Sequence, residues 1–276
     1  MSSIPTIDGA QLEVRLWKPD QPKGLAIIQG GTAIPQRYYG AFAQWLSERG
    51  WAVATFDYRG IGGSKHGHAR DSGASMSIWA ERDVPTVHAW AEQQVPGVPL
   101  AIIGHSYGGQ IVGLSVNPRV QSTLLIAAQS GHWRLWDGPR RYGMAALWHV
   151  GMPIIAGTLG HIPGWMGIGE DLPGGAAKEW AQWGRHPEYL FAHKPGAIEA
   201  FASYPGRVKS ISISDDAYAP PRSVQAFAER FPQDRHTFQT VHPADFGLAE
   251  IGHFGWFRKS GNLLWPSAAE WLEQPL

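Results

Sequence analysis

The stretch from Pro99 to Gly113, PLAIIGHSYGGQIVG, restricts what this chain can fold into more than any other. Leu100 to Ile103 is an uninterrupted run of apolar, β-forming residues, and a strand without polar alternation is one buried on both faces. It ends in Gly104-His105-Ser106-Tyr107-Gly108, after which small residues follow at helical spacing. That order predicts a strand, a sharp turn and a helix. In such a turn the serine is held in strained backbone, and a side chain at position 104 or 108 would collide with the neighbouring strand and helix. The hydroxyl then stands above the sheet edge beside a helix N-terminus, where unpaired N–H groups favour an oxyanion. Ser106 is thus the expected nucleophile. In a chain with 34 glycines a serine packed in an ordinary turn is the alternative, and the flanking strand and helix weigh against it.

Residues 24–29 read as a second strand buried on both faces, and 51–58 as a third. Residues 10–19 alternate apolar and polar side chains, as expected of a half-exposed edge strand. Further strands are expected over 120–128, 207–215 and 235–242, and helices over 38–49, 76–94 and 222–231, with Pro85 kinking the second helix or marking a late first turn. Between about Ser130 and Pro205 the alternation of strand and helix is lost. Six of the chain's 14 tryptophans fall in that segment: Trp133, Trp136, Trp148, Trp165, Trp180 and Trp183.

Composition excludes several classes of function. The 276 residues suffice for one large α/β domain with an insertion, and 43% hydrophobic against 17% charged residues supply a core. A formal net charge of +0 without a basic stripe gives no reason to expect a nucleic acid or an anionic membrane as partner. With no cysteine there are no disulfides, thiol catalysis or thiolate-bound metals. His66-Gly67-His68 with Asp71 lacks a third clear ligand and reads as solvated polar residues, so no metal is expected. The first residues show no basic segment followed by an apolar run, and no apolar run approaches the ~20 residues of a membrane-spanning helix, so a cytoplasmic chain is expected. The sequence sets no oligomeric state.

Taken together, G-H-S-Y-G-G at 104–109, D-D-A-Y-A-P at 215–220, G-H-F-G at 252–255 and D-Y-R-G-I-G-G-S at 57–64 resemble the α/β-hydrolase superfamily, in particular a branch of predicted serine hydrolases or esterases with a helical cap. The resemblance implies a mostly parallel eight-stranded sheet with helices on both faces and a helical cap inserted after the sixth strand. The core would comprise residues 1–129 and 206–276, and the cap residues 130–205. It also implies a triad of Ser106, Asp216 and His253, in the chain order serine, acid, histidine. Asp216 stands four residues before Pro220, and Asp215 is its competitor. The oxyanion hole would take one backbone N–H from Tyr107 and the other from Gly31 or Thr32, the loop at 57–64 would be architectural, and His105 would pack beneath the turn.

In the cap, Trp133, Trp136, Trp180 and Trp183 are the expected pocket residues, an aromatic lid implying a largely apolar pocket. Arg134, Arg140, Arg141, Lys178 and Arg185 are expected to face water. The implied reaction is hydrolysis of an ester or related acyl bond of a small-molecule substrate, without a cofactor. An acyltransferase, a non-hydrolytic enzyme and a binding protein of the same fold are the alternatives. A dehalogenase or epoxide hydrolase would need an aspartate at 106.

Overall fold

Three strands are buried along their whole length, and they form the middle of the sheet. In a computed structural model, which describes residues 1–167 and 169–274, the strands are β1 (Ser2–Pro5), β2 (Gln11–Trp17), β3 (Gly24–Gln29), β4 (Trp51–Phe56), β5 (Leu100–His105), β6 (Val120–Ile126), β7 (His161–Ile162), β8 (Leu172–Pro173), β9 (Arg207–Ile213) and β10 (His236–Val241). Eight of them form one sheet in the order β1-β2-β4-β3-β5-β6-β9-β10. β1 and β2 run antiparallel to their neighbours and all other pairs are parallel.

Successive residues of the central strands pack on opposite faces, as the pleat requires. Leu25 and Ile27 meet Val84, Val87 and Ala91 of the helix Val84–Gln94. Ala26 and Ile28 meet Phe42, Ala43 and Leu46 of the helix Gly40–Ser47, together with Trp265 and Leu272 of the helix Trp265–Glu273. The expected sheet with helices on both faces is therefore present. One expectation is corrected: β2 is not an edge strand, because Ser2–Pro5 pairs with its outer side. The alternation in β2 comes from one solvated face, which an antiparallel strand can have without lying at an edge.

Chain direction places a crevice beside Ser106. From β3 the chain steps to β4 on one side, whereas from β5 it steps to β6 on the other. The C-terminal ends of β3 and β5 thus flank a topological switch point, where open α/β sheets bind ligands. The turn after β5 is tight because three glycines allow backbones to meet. A Cβ at Gly104 would overlap Gly109, one at Gly108 the Gln29 carbonyl at the end of β3, and one at Gly109 the Ala128 side chain. The regular helix after the turn is shorter than the spacing suggests, only Tyr107–Gln110, and the chain continues in turns from Ile111. Gly108, Gly109 and Gly113 make that stretch a poor helix former.

The helix expected over 76–94 is broken by a π turn at Trp79–Asp83, just before Pro85. The same arrangement recurs at Leu147–Gly151, just before Pro153. A proline lacks the N–H for the carbonyl one turn back and its ring crowds that carbonyl, so widening the preceding turn accommodates it without a break. The loop at 57–64 is held by its own acid and base. Asp57 accepts from the Gln36 and Gly63 backbone N–H groups, while the Arg59 guanidinium lies between Asp83 and Asp8.

Between β6 and β9 the described residues contribute no strand to the large sheet. It forms the helices Arg140–Ala146, Met152–Leu159, Gly174–Arg185 and Ala197–Ala202. A short β7–β8 ladder pairs His161 with Pro173 and Ile162 with Leu172, which the sequence does not suggest. Among the described residues no helix is long and apolar enough to cross a membrane.

Two glycine substitutions should move stability in opposite directions. Gly157 is exposed within the helix Met152–Leu159, where an added Cβ meets nothing within 4 Å, so Gly157→Ala should stabilise the fold by about 0.5–1 kcal/mol. Gly108→Ala drives a methyl group into the Gln29 carbonyl and should cost about 3 kcal/mol, the upper end of what overpacking costs. Urea denaturation of the two variants beside the parent measures both.

Candidate active site

Three loops at the C-terminal ends of the strands meet over β5. Ser106 follows β5 directly, with φ 50° and ψ −119°, a conformation that costs a non-glycine residue on the order of 1–3 kcal/mol. Its N–H donates to the Ile126 carbonyl at 2.9 Å and its carbonyl accepts from the Gly109 and Gln110 N–H groups, and among the described residues the Tyr107 N–H at the helix start has no protein acceptor. The side chain is 6% exposed and faces the cavity under the segment that follows β6.

Asp215 and Asp216 lie just beyond β9 and have separate partners. Asp216 Oδ2 accepts from His253 Nδ1 at 2.7 Å, and its Oδ1 accepts from the Tyr218 and Ala219 N–H groups, both at 2.8 Å. These bonds fix the carboxylate, and in the neutral ring they favour the tautomer with its proton on Nδ1. Asp215 turns the other way and accepts from the N–H groups of Ile251 and Gly252 at 2.9 and 3.0 Å. One aspartate thus holds the His253 ring and the other the backbone just ahead of it. Ser106 and His253 line the same cavity, and no hydrogen bond joins them.

Beneath the serine runs a buried chain of hydrogen bonds. The Gly31 N–H donates to Tyr39 Oη at 2.7 Å, Tyr39 Oη donates to His105 Nδ1 at 2.8 Å, and His105 Nε2 donates to the His253 carbonyl at 3.0 Å. Burial drives the His105 pKa down to about 3, with the nearby His253 adding to the effect. It therefore remains a neutral ring with one donor and one acceptor, as this chain needs. The Gly31 N–H, one of the two expected oxyanion donors, is committed to Tyr39. Among the described residues the Thr32 N–H has no protein acceptor, and the residue borders the cavity.

The cavity has a volume of about 470 Å³ and mostly apolar walls, built by Trp136, Met144, Leu147, Trp148, Met152 and Trp180. Of the four tryptophans expected there, Trp136 and Trp180 line it and Trp133 and Trp183 do not. Trp183 is fully buried against Tyr189, ring centroids 5.8 Å apart, and Trp133 packs against the core with the Arg134 guanidinium over its ring. Trp148 takes a place on the wall that sequence spacing did not assign. Its indole N–H donates to the Gly131 carbonyl at 2.9 Å, and a Cβ at Gly184 would overlap it. Arg134, Arg140, Arg141, Lys178 and Arg185 are exposed as expected, although Arg140 also borders the cavity. Gln129 reaches the wall from the end of β6 and was not singled out by its sequence context.

Residues 20–137, less than half of the chain, match the serine aminopeptidase S33 family. A monoacylglycerol lipase of Mycolicibacterium smegmatis is 33% identical over 113 residues, covering 40% of this chain and 39% of the lipase. Among solved structures, a soluble variant of monoglyceride lipase from Saccharomyces cerevisiae superposes with a TM-score of 0.75 at 16% identity, over 99% of this chain and 94% of that one. An esterase from Exiguobacterium antarcticum does so with a TM-score of 0.67 at 16% identity, over 99% of each chain.

Two buried histidines give the fold a defined acid sensitivity. Burial lowers the His88 pKa to about 4 and the His105 pKa to about 3, from an ordinary 6.5. Below pH 6.5 the unfolded chain binds protons that the folded chain refuses, so this contribution is complete above pH 6.5 and is lost as pH falls toward 4. The loss approaches about 1.4 kcal/mol per pH unit for each histidine. Unfolding free energies between pH 7.5 and 4.5 should show this slope, and His88→Gln should reduce it by one histidine's share.

Proposed function

We propose that the chain is a serine hydrolase of the α/β-hydrolase superfamily that cleaves an ester of a small, largely apolar substrate through an acyl-enzyme. One observation carries this reading. A carboxylate-bound histidine and a serine in strained turn backbone, from strand ends far apart in sequence, open onto the same apolar cavity. The local similarity to a monoacylglycerol lipase supports the same chemistry.

In the proposed reaction His253 Nε2 takes the Ser106 proton as the hydroxyl attacks the ester carbonyl, and Asp216 stabilises the imidazolium. The oxyanion is met by the Tyr107 N–H and the Thr32 N–H, since the Gly31 N–H is engaged below. Each such donor contributes roughly 3–4 kcal/mol to the transition state. His253 then protonates the leaving alcohol, accepts a proton from water as that water attacks the acyl-enzyme, and returns it to Ser106. In this reading residues 130–205 are the cap that keeps the cavity dry over a core of 1–129 and 206–276.

The assignments separate by experiment. A fluorophosphonate probe should label the parent protein and fail to label Ser106→Ala, and retained labelling in a folded variant would remove Ser106 from the reaction. Asp216→Asn should lower kcat by about 10⁴, while Asp215→Asn, which disturbs only backbone contacts, should lower it by no more than about tenfold. The reverse order would make Asp215 the acid.

Chain-length dependence tests the substrate class. Each CH₂ buried on the apolar wall contributes about 0.8 kcal/mol, nearly fourfold in kcat/KM. Across p-nitrophenyl esters from two carbons upward the specificity constant should rise until the cavity is full. Trp148→Ala and Trp180→Ala should flatten the rise, and Trp133→Ala, off the cavity, should leave it unchanged. A specificity constant that falls from the two-carbon ester onward would refute an apolar substrate.

A further inference from the structure

The cavity wall holds one buried amide whose orientation is fixed by a series of hydrogen bonds behind it. The series begins at Trp180, whose indole N–H can only donate. Trp180 Nε1 lies 2.9 Å from Tyr189 Oη, so that oxygen accepts. The Tyr189 proton therefore goes to Gln110 Oε1, 2.8 Å away. Gln110 Nε2 then faces Gln129 at 3.1 Å, and only Gln129 Oε1 can receive it. Gln129 Nε2 is left over as the free end. Among the described residues it has no protein acceptor, and it keeps accessible surface on a side chain that is 4% exposed and borders the cavity.

The relay is rigid. Tyr189 and Gln110 are buried, and Tyr189 sits in the left-handed region at φ 51°, which a bulky residue adopts only where its surroundings enforce it. Its ring lies so close to Gly131 that a Cβ there would come within 2.7 Å of it. Gln110 is anchored in the short helix that follows Ser106, and Trp180 in the helix Gly174–Arg185. The amide of Gln129 is thus held in one of its two orientations, with its N–H groups toward the ligand space.

We propose that Gln129 is a specificity-determining residue that selects ligands carrying a hydrogen-bond acceptor oxygen part-way along an otherwise apolar chain. An alkyl chain laid over Gln129 Nε2 strips a donor of water and gives nothing in return, whereas a carbonyl oxygen at that depth pairs with it. Sites built to hydrogen-bond a group discriminate strongly against analogues that lack it. The proposal rests on the esterase reading only for what the chain is attached to; the binding preference itself needs no turnover.

The test measures binding to Ser106→Ala by quenching of tryptophan fluorescence, with Trp136, Trp148 and Trp180 on the wall as reporters. The ligands are methyl octanoates with one keto group moved from carbon 3 to carbon 7. These isomers have nearly the same cost of leaving water, so a preference among positions reads a directed contact. One isomer should bind about tenfold more tightly than the others. Adding Gln129→Met should level the series, and Gln129→Glu, which presents an acceptor instead, should shift the preference from the keto ester to the hydroxy ester of the same position. Tyr189→Phe, which releases the relay and lets the Gln110 amide turn over, should weaken the keto preference while Gln129 stays in place. A flat or absent series in the Ser106→Ala protein, or an unchanged preference in Gln129→Met, overturns the proposal. Ser106-dependent turnover of simple p-nitrophenyl esters by the parent protein reports separately on the hydrolase reading, so the two can fail independently.

Discussion

The site depends on a neutral histidine that catalyses nothing in the proposed reaction. His105 lies under the turn with both ring nitrogens occupied, one by the Tyr39 hydroxyl and the other by the His253 carbonyl. Because Tyr39 also accepts from the Gly31 N–H, three loops that meet nowhere else in sequence are joined through one ring: the loop after β3, the turn after β5 and the loop that carries His253. Each bond is buried, so displacing any member leaves an unpaired polar group costing about 1–3 kcal/mol. The same chain explains why the Gly31 N–H faces downward. A tyrosine eight residues on has taken it, leaving the Thr32 N–H as the available donor from this loop.

Much of this fold could be read from the chain because the central strands are extreme. Residues 24–29, 51–56 and 100–105 have no water-facing positions, so their sequence has no alternative to the middle of a covered parallel sheet. What stayed hidden was set by partners distant in sequence. Ser2–Pro5 is too short to show a period, and only its pairing with β2 makes it a strand. The β7–β8 ladder is two residues long on each side. The two aspartates were separable in principle by their spacing to Pro220, but what Asp215 does instead, holding the backbone before His253, could not be read from neighbouring residues.

The segment between β6 and β9 shows the same limit from the other side. Tryptophans marked it as an apolar covering, yet residue type could not tell an indole on the wall from one in the interior. Trp180 and Trp183 lie three apart on one helix and differ because Trp183 finds Tyr189 to pack against, while Trp180 reaches both the cavity and the Tyr189 hydroxyl. The π turn at Leu147–Gly151 belongs to the same account. It follows from Pro153, a local cause, and it includes Trp148, whose ring lines the cavity while its N–H reaches the Gly131 carbonyl. A proline written into the sequence for backbone reasons thereby bears on the shape of the cavity, through a geometry that a regular helix would not supply.

Charge gives a further reason for burying His105 so completely. The His105 and His253 ring centroids are 5.1 Å apart. Two positive charges at that separation would repel, and the neighbouring ring adds to the lowering of the His105 pKa that burial causes. In the proposed reaction a base that collects a proton from Ser106 at neutral pH would be hindered by a fixed cation beside it. Burial, the largest cause of the low His105 pKa, keeps that ring neutral at neutral pH. Tyr39 hydrogen-bonds to the Nδ1 that a proton would need and so reinforces the neutral form. The ring that ties the three loops together can therefore stand against the proposed general base without competing for its proton.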